Sequence, residues 1–301
     1  MTPEALPVEV VAPLRCRLGE SPVWSPREQV LWWVDIEGRA LHRLQPQGAH
    51  IDTWRAEERI GCVALHARGG LIGALEDGIW RLHPREDGRL DAKRLARVVH
   101  AHEAMRFNDG RCDRAGRLWA MTMVRDTAAG VPAGALYRYD ERGISAPVLS
   151  GFVIGNGTGF SPDNRTMYFS DAHASVRRIW AADLHDDGTL SNRREFVDMN
   201  RHPGRPDGAA VDADGCYWIC CTDAGAILRF TPDGRLDRAV KVPVAKPTMC
   251  AFGGADGRDL WVTSLVPSTP PPGYDPALAG ALLHLRPGPQ GIAETPFASG
   301  D

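Results

Sequence analysis

Six times along its length the chain repeats one pattern: an apolar run, a polar turn bearing Pro, Asp or Gly, and a second apolar run. The copies are "VWSPREQVLWWVDI" (23–36), "VALHARGGLIGAL" (63–75), "RCDRAGRLWAMTM" (111–123), "FVIGNGTGFSPDNRTMYFSDA" (152–172), "AVDADGCYWICCTDA" (210–224) and "AFGGADGRDLWVTS" (251–264). Each is followed by a weaker hairpin signature with a Gly-bearing turn, such as "RALHRLQPQG" or "AILRFTPDG". Two hairpins per repeat make four strands. Aligned at Trp32, Leu71, Trp119, Tyr168, Trp218 and Trp261, the second strands stand 39, 48, 49, 50 and 43 residues apart. That is the period of a propeller blade, about 40 to 50 residues. A β-sandwich would also supply hairpins, but it has no reason to repeat a four-strand unit so regularly. The chain is therefore expected to be all-β: a six-bladed β-propeller, four antiparallel strands per blade, forming one domain over residues 1–301. An N-terminal strand near Val8 to Arg15 is expected to close it, beside a strand ending near Phe297.

Composition agrees. The 32 Gly and 23 Pro are spread throughout rather than gathered in a linker, the texture of many short strands joined by turns. Lys+Arg 35 against Asp+Glu 38 leaves a net charge of -3, which points to neither a nucleic-acid nor a membrane partner. The seven Cys include no CxxC pair, so neither a disulfide framework nor a zinc site is indicated. The start "MTPEALPVEVVAPL" lacks the apolar run of a signal peptide, and no stretch approaches the ~20 apolar residues of a membrane span. A soluble, cytoplasmic protein with reduced thiols is expected, as a monomer or weak dimer. In that setting the sequons at Asn156 and Asn164 are chance matches.

The innermost strand of each blade lines the central channel, and all six run the same way, so equivalent positions form a ring. Four residues before the apolar residue at each first turn stand Glu20, Gly61, Asn108, Asn156, Asp207 and Thr248. Five of the six bear side-chain oxygen. Two carboxylates, two amides and a hydroxyl converging in low dielectric repel or stay unpaired unless a cation lies among them. A hard divalent ion satisfies such a set. The alternative at this point is a hydrogen-bonded plug of buried water.

These same residues carry a resemblance. "LGESPVW" with Glu20, "RFNDGRCDRAGRLW" with Arg106 and Asn108, "NGTGFSPD" with Asn156, "RPDGAAVDADG" with Asp207, and "PTMCAFGG" resemble the successive signatures of the SMP-30/gluconolactonase family, the regucalcin-like sugar lactonases. The likeness runs from about residue 14 to 265, in the family's order. It implies a six-bladed propeller holding one divalent metal (Ca, Zn, Mn, Mg or Fe(II)) through Glu20, Asn156 and Asp207. It also implies a sugar lactone as substrate, bound by Arg106 and Asn108, with Asp126 standing where several members have Glu. The chain departs from many members around Asn156, with Gly155 before it and Thr158-Gly159 after.

Hydrolysis of an aldonolactone such as gluconolactone, xylonolactone or arabinonolactone needs a polarised carbonyl, an activated water and a stabilised oxyanion. A metal with open positions supplies all three. Consistent with that, the chain has no GxSxG elbow and no HExxH. Asp207 is expected to act as both ligand and proton acceptor. Two other readings compete: a phosphotriesterase-like propeller hydrolase, which uses similar oxygen-rich centres, and a non-catalytic metal-binding propeller. The "RFND" motif favours a polyhydroxylated substrate. His100 and His102 are read as loop histidines outside the site, the repeated Trp residues as blade packing, and "VPSTPPPGYDPALAG" (266–280) as a loop between strands.

Overall fold

The computed structural model describes residues 5–12, 14–48, 50–269 and 271–298. Six antiparallel sheets form a ring, a six-bladed β-propeller, as the repeat predicts. The inner strands are Gly19–Ser25, Cys62–Leu65, Met105–Cys112, Gly155–Phe160, Arg205–Val211 and Pro247–Gly253. Each meets its two neighbours in turn, and the sixth meets the first to close the circle. Blade 3 has its outer strand broken in two, Gly143–Ile144 and Leu149–Phe152, where the others have one. Among the described residues no helix is long and apolar enough to cross a membrane.

Burial explains the sequence texture. The first two strands of each blade are sandwiched between neighbouring blades and buried on both faces, so they read as continuous apolar runs. Outer strands such as Leu90–Arg97 face water and carry the charges. The core is accordingly divided into six larger clusters, one between each pair of adjacent blades, with a small seventh of Met123, Val153, Ile154 and Ala172 between blades 3 and 4. Trp32 lies in the 1–2 cluster, Trp119 in 3–4, Trp218 in 5–6 and Trp261 in 6–1, confirming them as blade packing.

Five blades carry a one-residue bulge between their first and second strands, after Glu20, Phe107, Asn156, Pro206 and Pro247. The bulge re-aims the side chains where the polar ring stands. Blade 2 pairs without a shift, and its ring position is Gly61. There the neighbouring backbone takes the space: a Cβ on Gly61 would stand 2.4 Å from the Phe107 carbonyl oxygen. Gly61→Ala is therefore expected to lower stability by about 1–3 kcal/mol, the usual cost of overpacking, measured by denaturant unfolding.

The N-terminal strand closes the ring, but beside a different partner from the one expected. Glu9–Ala12 pairs antiparallel with Leu282–Leu285, not with a strand ending near Phe297. Pro287 and Pro289 follow that strand at once and cannot extend a ladder. The chain instead crosses the face where the first-hairpin turns lie, opposite the starts of the inner strands. Gly291 donates to Gly257 O (2.8 Å), Ala213 N–H donates to Gln290 O (2.8 Å), and Phe297 bridges to His66. At the centre, the Glu294 carboxylate meets the buried Arg111 guanidinium, which also donates to Ala209 O at 2.6 Å.

Two buried aspartates organise the turns of blades 3 and 5. Asp113 accepts from Ala115 N–H (2.9 Å), Arg117 N–H (3.0 Å), Arg117 Nε (2.6 Å) and Trp119 Nε1 (2.9 Å). Asp212 accepts from Asp214 N–H (3.0 Å), Cys216 N–H (2.9 Å), Trp218 Nε1 (2.8 Å) and Arg229 Nε (2.8 Å).

Candidate functional site

The bulges bring Glu20, Asn108, Asn156, Asp207 and Thr248 to the axial side of the inner strands, all buried. Asn156 Nδ2 donates to Asp207 Oδ1 at 2.6 Å, and its own Oδ1 accepts from Gly157 N–H at 3.1 Å. The tight turn behind Asn156 requires glycine: Gly157 has φ +66, and a Cβ there would lie 2.6 Å from both Ser170 Oγ and Tyr217 Oη.

Both carboxylates hold protons more tightly than usual. Burial raises Glu20 well above the ordinary carboxylate range, and the nearby charges of Asp207 and Asp109 add to it. Burial likewise lifts Asp207 to about 7, against the opposing pull of Arg205 and the Asn156 hydrogen bond. Among the described residues no cluster of three or more His, Cys, Asp and Glu is placed to hold a metal. The oxygen set at this mouth is two carboxylates and an amide.

Arg106 and Asn108 lie together beside it. Arg106 Nη1 donates to Asn108 Oδ1 (2.6 Å) and Phe107 O (2.9 Å), while its buried Nε has no partner. Burial pulls Arg106 down to about 10. Asn108 Nδ2 donates across the blade boundary to Gly155 O at 3.0 Å.

The profile described as the SMP-30/Gluconolactonase/LRE-like region matches residues 18–266, which contain every one of these groups. The chain belongs to this family. A 6-deoxy-6-sulfogluconolactonase of Pseudomonas putida is 39% identical over 283 residues, covering 93% of this chain and 95% of the relative. The pentonolactonase XacC of Haloferax volcanii is 38% identical over 250 residues, covering 83% and 82%. Among solved structures, a calcium-binding protein, regucalcin, from Agrobacterium tumefaciens superposes with a TM-score of 0.83 at 25% identity, covering 99% of each chain.

Of the residues the SMP-30/gluconolactonase resemblance singled out, five gather here: Glu20, Arg106, Asn108, Asn156 and Asp207. Asp126 does not join them. It is exposed, and its Oδ1 accepts from Ala128 N–H at 3.1 Å, capping the short turn Thr127–Ala129. His100 is tied to Glu76 O at 2.8 Å, and His102 is exposed. The described parts of the loop over 266–280, residues 266–269 and 271–280, lie at the same end of the blades as the site. Arg15 Nη2 holds it through Pro276 O (2.7 Å), and Tyr274 Oη donates to Ala224 O (3.2 Å).

One buried acid escaped the sequence reading. Asp109 Oδ2 accepts from Thr158 N–H at 2.6 Å, its Oδ1 has no partner, and burial raises its proton affinity. Strict strand alternation sends the residue after Asn108 away from the axis. The bulge at 108–109 turns both inward, and nothing in the local sequence marks a bulge.

Proposed function

We propose that this chain is a divalent-metal-dependent hydrolase that opens a sugar lactone to its aldonic acid. One observation carries the reading: Glu20 and Asp207 are buried and close enough for their charges to act on each other, both with raised proton affinity, and Asn156 is bonded to Asp207. A pair of carboxylates in this state calls for either a proton or a cation. All donors are hard oxygens, which fits a Ca, Mn, Mg, Zn or Fe(II) ion better than a copper-type site. Glu20, Asp207 and Asn156 would hold it, the Asn156 amide turning by half to offer its oxygen. Once bound, the ion polarises the lactone carbonyl and acidifies water. The names of the two lactonase relatives and of the calcium-binding structural neighbour support the same reading.

The chain's own residues do the rest. Asp207 would take the proton of the attacking water and return it to the ring oxygen that leaves, as a positioned general base and acid. Arg106 Nε, a buried donor without a partner, is available to a ring or hydroxyl oxygen of the sugar. Asn108 holds the Arg106 fork in place. Asp126, which caps its own turn outside this cluster, is given no part in the step. Lactone and water balance against hydroxy acid, so no nucleophilic side chain is needed.

The deciding experiment is a pH-stat assay on pentono- and hexonolactones, with an organophosphate triester as comparison, after chelation and re-addition of single divalent metals. Lactone turnover lost on chelation and restored by a metal is the expected result. Turnover of the triester alone, or lactone turnover indifferent to chelation, overturns the reading.

A second outcome concerns stability. The folded-state proton affinity of Asp207 is raised from 3.8 to about 7, so in metal-free protein its stabilising protonated form is full below the unfolded value and is lost as pH rises through about 7. Glu20 shifts in the same direction. A bound cation replaces the proton. The gain in Tm on adding Mn2+ is therefore expected to be larger at pH 8 than at pH 6, as differential scanning calorimetry will show.

A further inference from the structure

The ring side chains act on one another in a fixed direction around the axis. Asn108 of blade 3 donates to Gly155 O, the carbonyl just before Asn156 of blade 4. Asn156 in turn donates to Asp207 of blade 5. Gly61 of blade 2, lacking a side chain, abuts Phe107 O, the carbonyl just before Asn108 of blade 3. Across the closure seam, Thr248 of blade 6 donates its hydroxyl to Gly19 O, the carbonyl just before Glu20 of blade 1.

Thr248 is fully buried, and its Oγ1 also lies 2.9 Å from the Oγ1 of Thr263, which sits opposite the bulge. A hydroxyl has one proton to give. The Thr248 hydroxyl lies within reach of both Gly19 O and Thr263 Oγ1, and the Thr263 hydroxyl in turn donates to Met249 O at 3.3 Å. On the other side of Glu20, Ser21 holds a left-handed φ of 51 while its Oγ accepts from Val63 N–H (2.9 Å) and donates to Val63 O (3.2 Å). Glu20 is thus gripped on both sides by hydroxyls bonded across blade boundaries.

We propose that Thr248 is a positioning residue for Glu20: its hydroxyl fixes the Gly19–Glu20 peptide so that the Glu20 carboxylate meets Asp207 and Asn156 across the channel. This rests on the reading of Glu20 as a metal ligand. Groups that orient a ligand are typically worth about 10- to 100-fold in metal affinity or activity. A mere packing role would be filled by any β-branched side chain, so Thr248→Val, which keeps the shape and removes the donor, separates the two.

The test measures Mn2+ binding by electron paramagnetic resonance on wild type, Glu20→Gln, Thr248→Val and Thr248→Ser, with kcat and KM on one lactone. Expected are a roughly 10- to 100-fold weaker Mn2+ affinity and a lower kcat at similar KM in Thr248→Val, and near-wild-type values in Thr248→Ser. Wild-type Mn2+ affinity in Thr248→Val, alongside its loss in Glu20→Gln, overturns this proposal alone. No Mn2+ binding by wild type, or full binding by Glu20→Gln, overturns the metal reading and this proposal with it. Should Thr248→Val fail to fold, Thr248→Ala against Thr248→Ser isolates the same hydroxyl, and equal affinities of that pair overturn the proposal.

Discussion

Asp207→Ala is expected to lower kcat/KM for lactone opening by about 10²- to 10⁴-fold, the range for loss of a positioned acid-base group, while the propeller stays folded. Three features set that size. The carboxylate is buried, it is the hydrogen-bond partner of Asn156 at 2.6 Å, and it lies close enough to Glu20 for the two charges to act on each other. Removing it takes a ligand and a base in one step, so raising the metal concentration should recover only part of the rate. Asp207→Asn makes a sharper companion, since it keeps the size and an oxygen for the ion while losing the base. Initial rates by pH-stat at saturating Mn2+ give the comparison; activity within threefold of wild type in either variant would remove Asp207 from the mechanism.

The largest stability effect is expected far from the site. Asp212→Ala leaves the part-buried Asp214 amide and the buried Cys216 amide, Trp218 indole N–H and Arg229 guanidinium without their shared acceptor. Arg229 retains Asp214 and Asp237, which softens its loss but does not reach the indole or the turn. Breaking a buried pair by removing one partner costs about 3–5 kcal/mol. Urea unfolding followed by tryptophan fluorescence should show a midpoint shift of that size, with lactone kinetics at low temperature nearly unchanged. A cost under about 1 kcal/mol, the worth of one ordinary hydrogen bond, would mean the turn survives on backbone pairing alone.

The propeller was readable because its unit is long, repeated and periodic: Trp32, Trp119, Trp218 and Trp261 recur at blade spacing, and each packs between two blades. The ring was readable for the same reason, one equivalent position per repeat. What the repeat could not carry were features that break it. The C-terminal strand of blade 6 ends at Leu285, because Pro287 follows, and the pairing partner of Glu9–Ala12 lies more than 270 residues away in sequence. Asp109 is turned inward by a bulge whose presence depends on the facing strand. Asp113 and Asp212 sit in turns and are buried beneath partners of their own blade, a network that depends on the third strand's or turn's guanidinium as much as on the turn itself. Asp126 was placed by motif order alone, and the local turn it caps decides where its carboxylate points.

The segment from Pro287 to Ala298, with Glu294 set on Arg111, lies across the face of the ring away from Asp207. On the proposed reading, lactone and aldonate would share the doorway on the Asp207 side. Each turnover has to empty the chamber the way it was filled, which makes accumulated acid a rival of incoming substrate rather than a bystander. A tunnel through the ring would have allowed the two to pass; on that reading the chain has built a cul-de-sac.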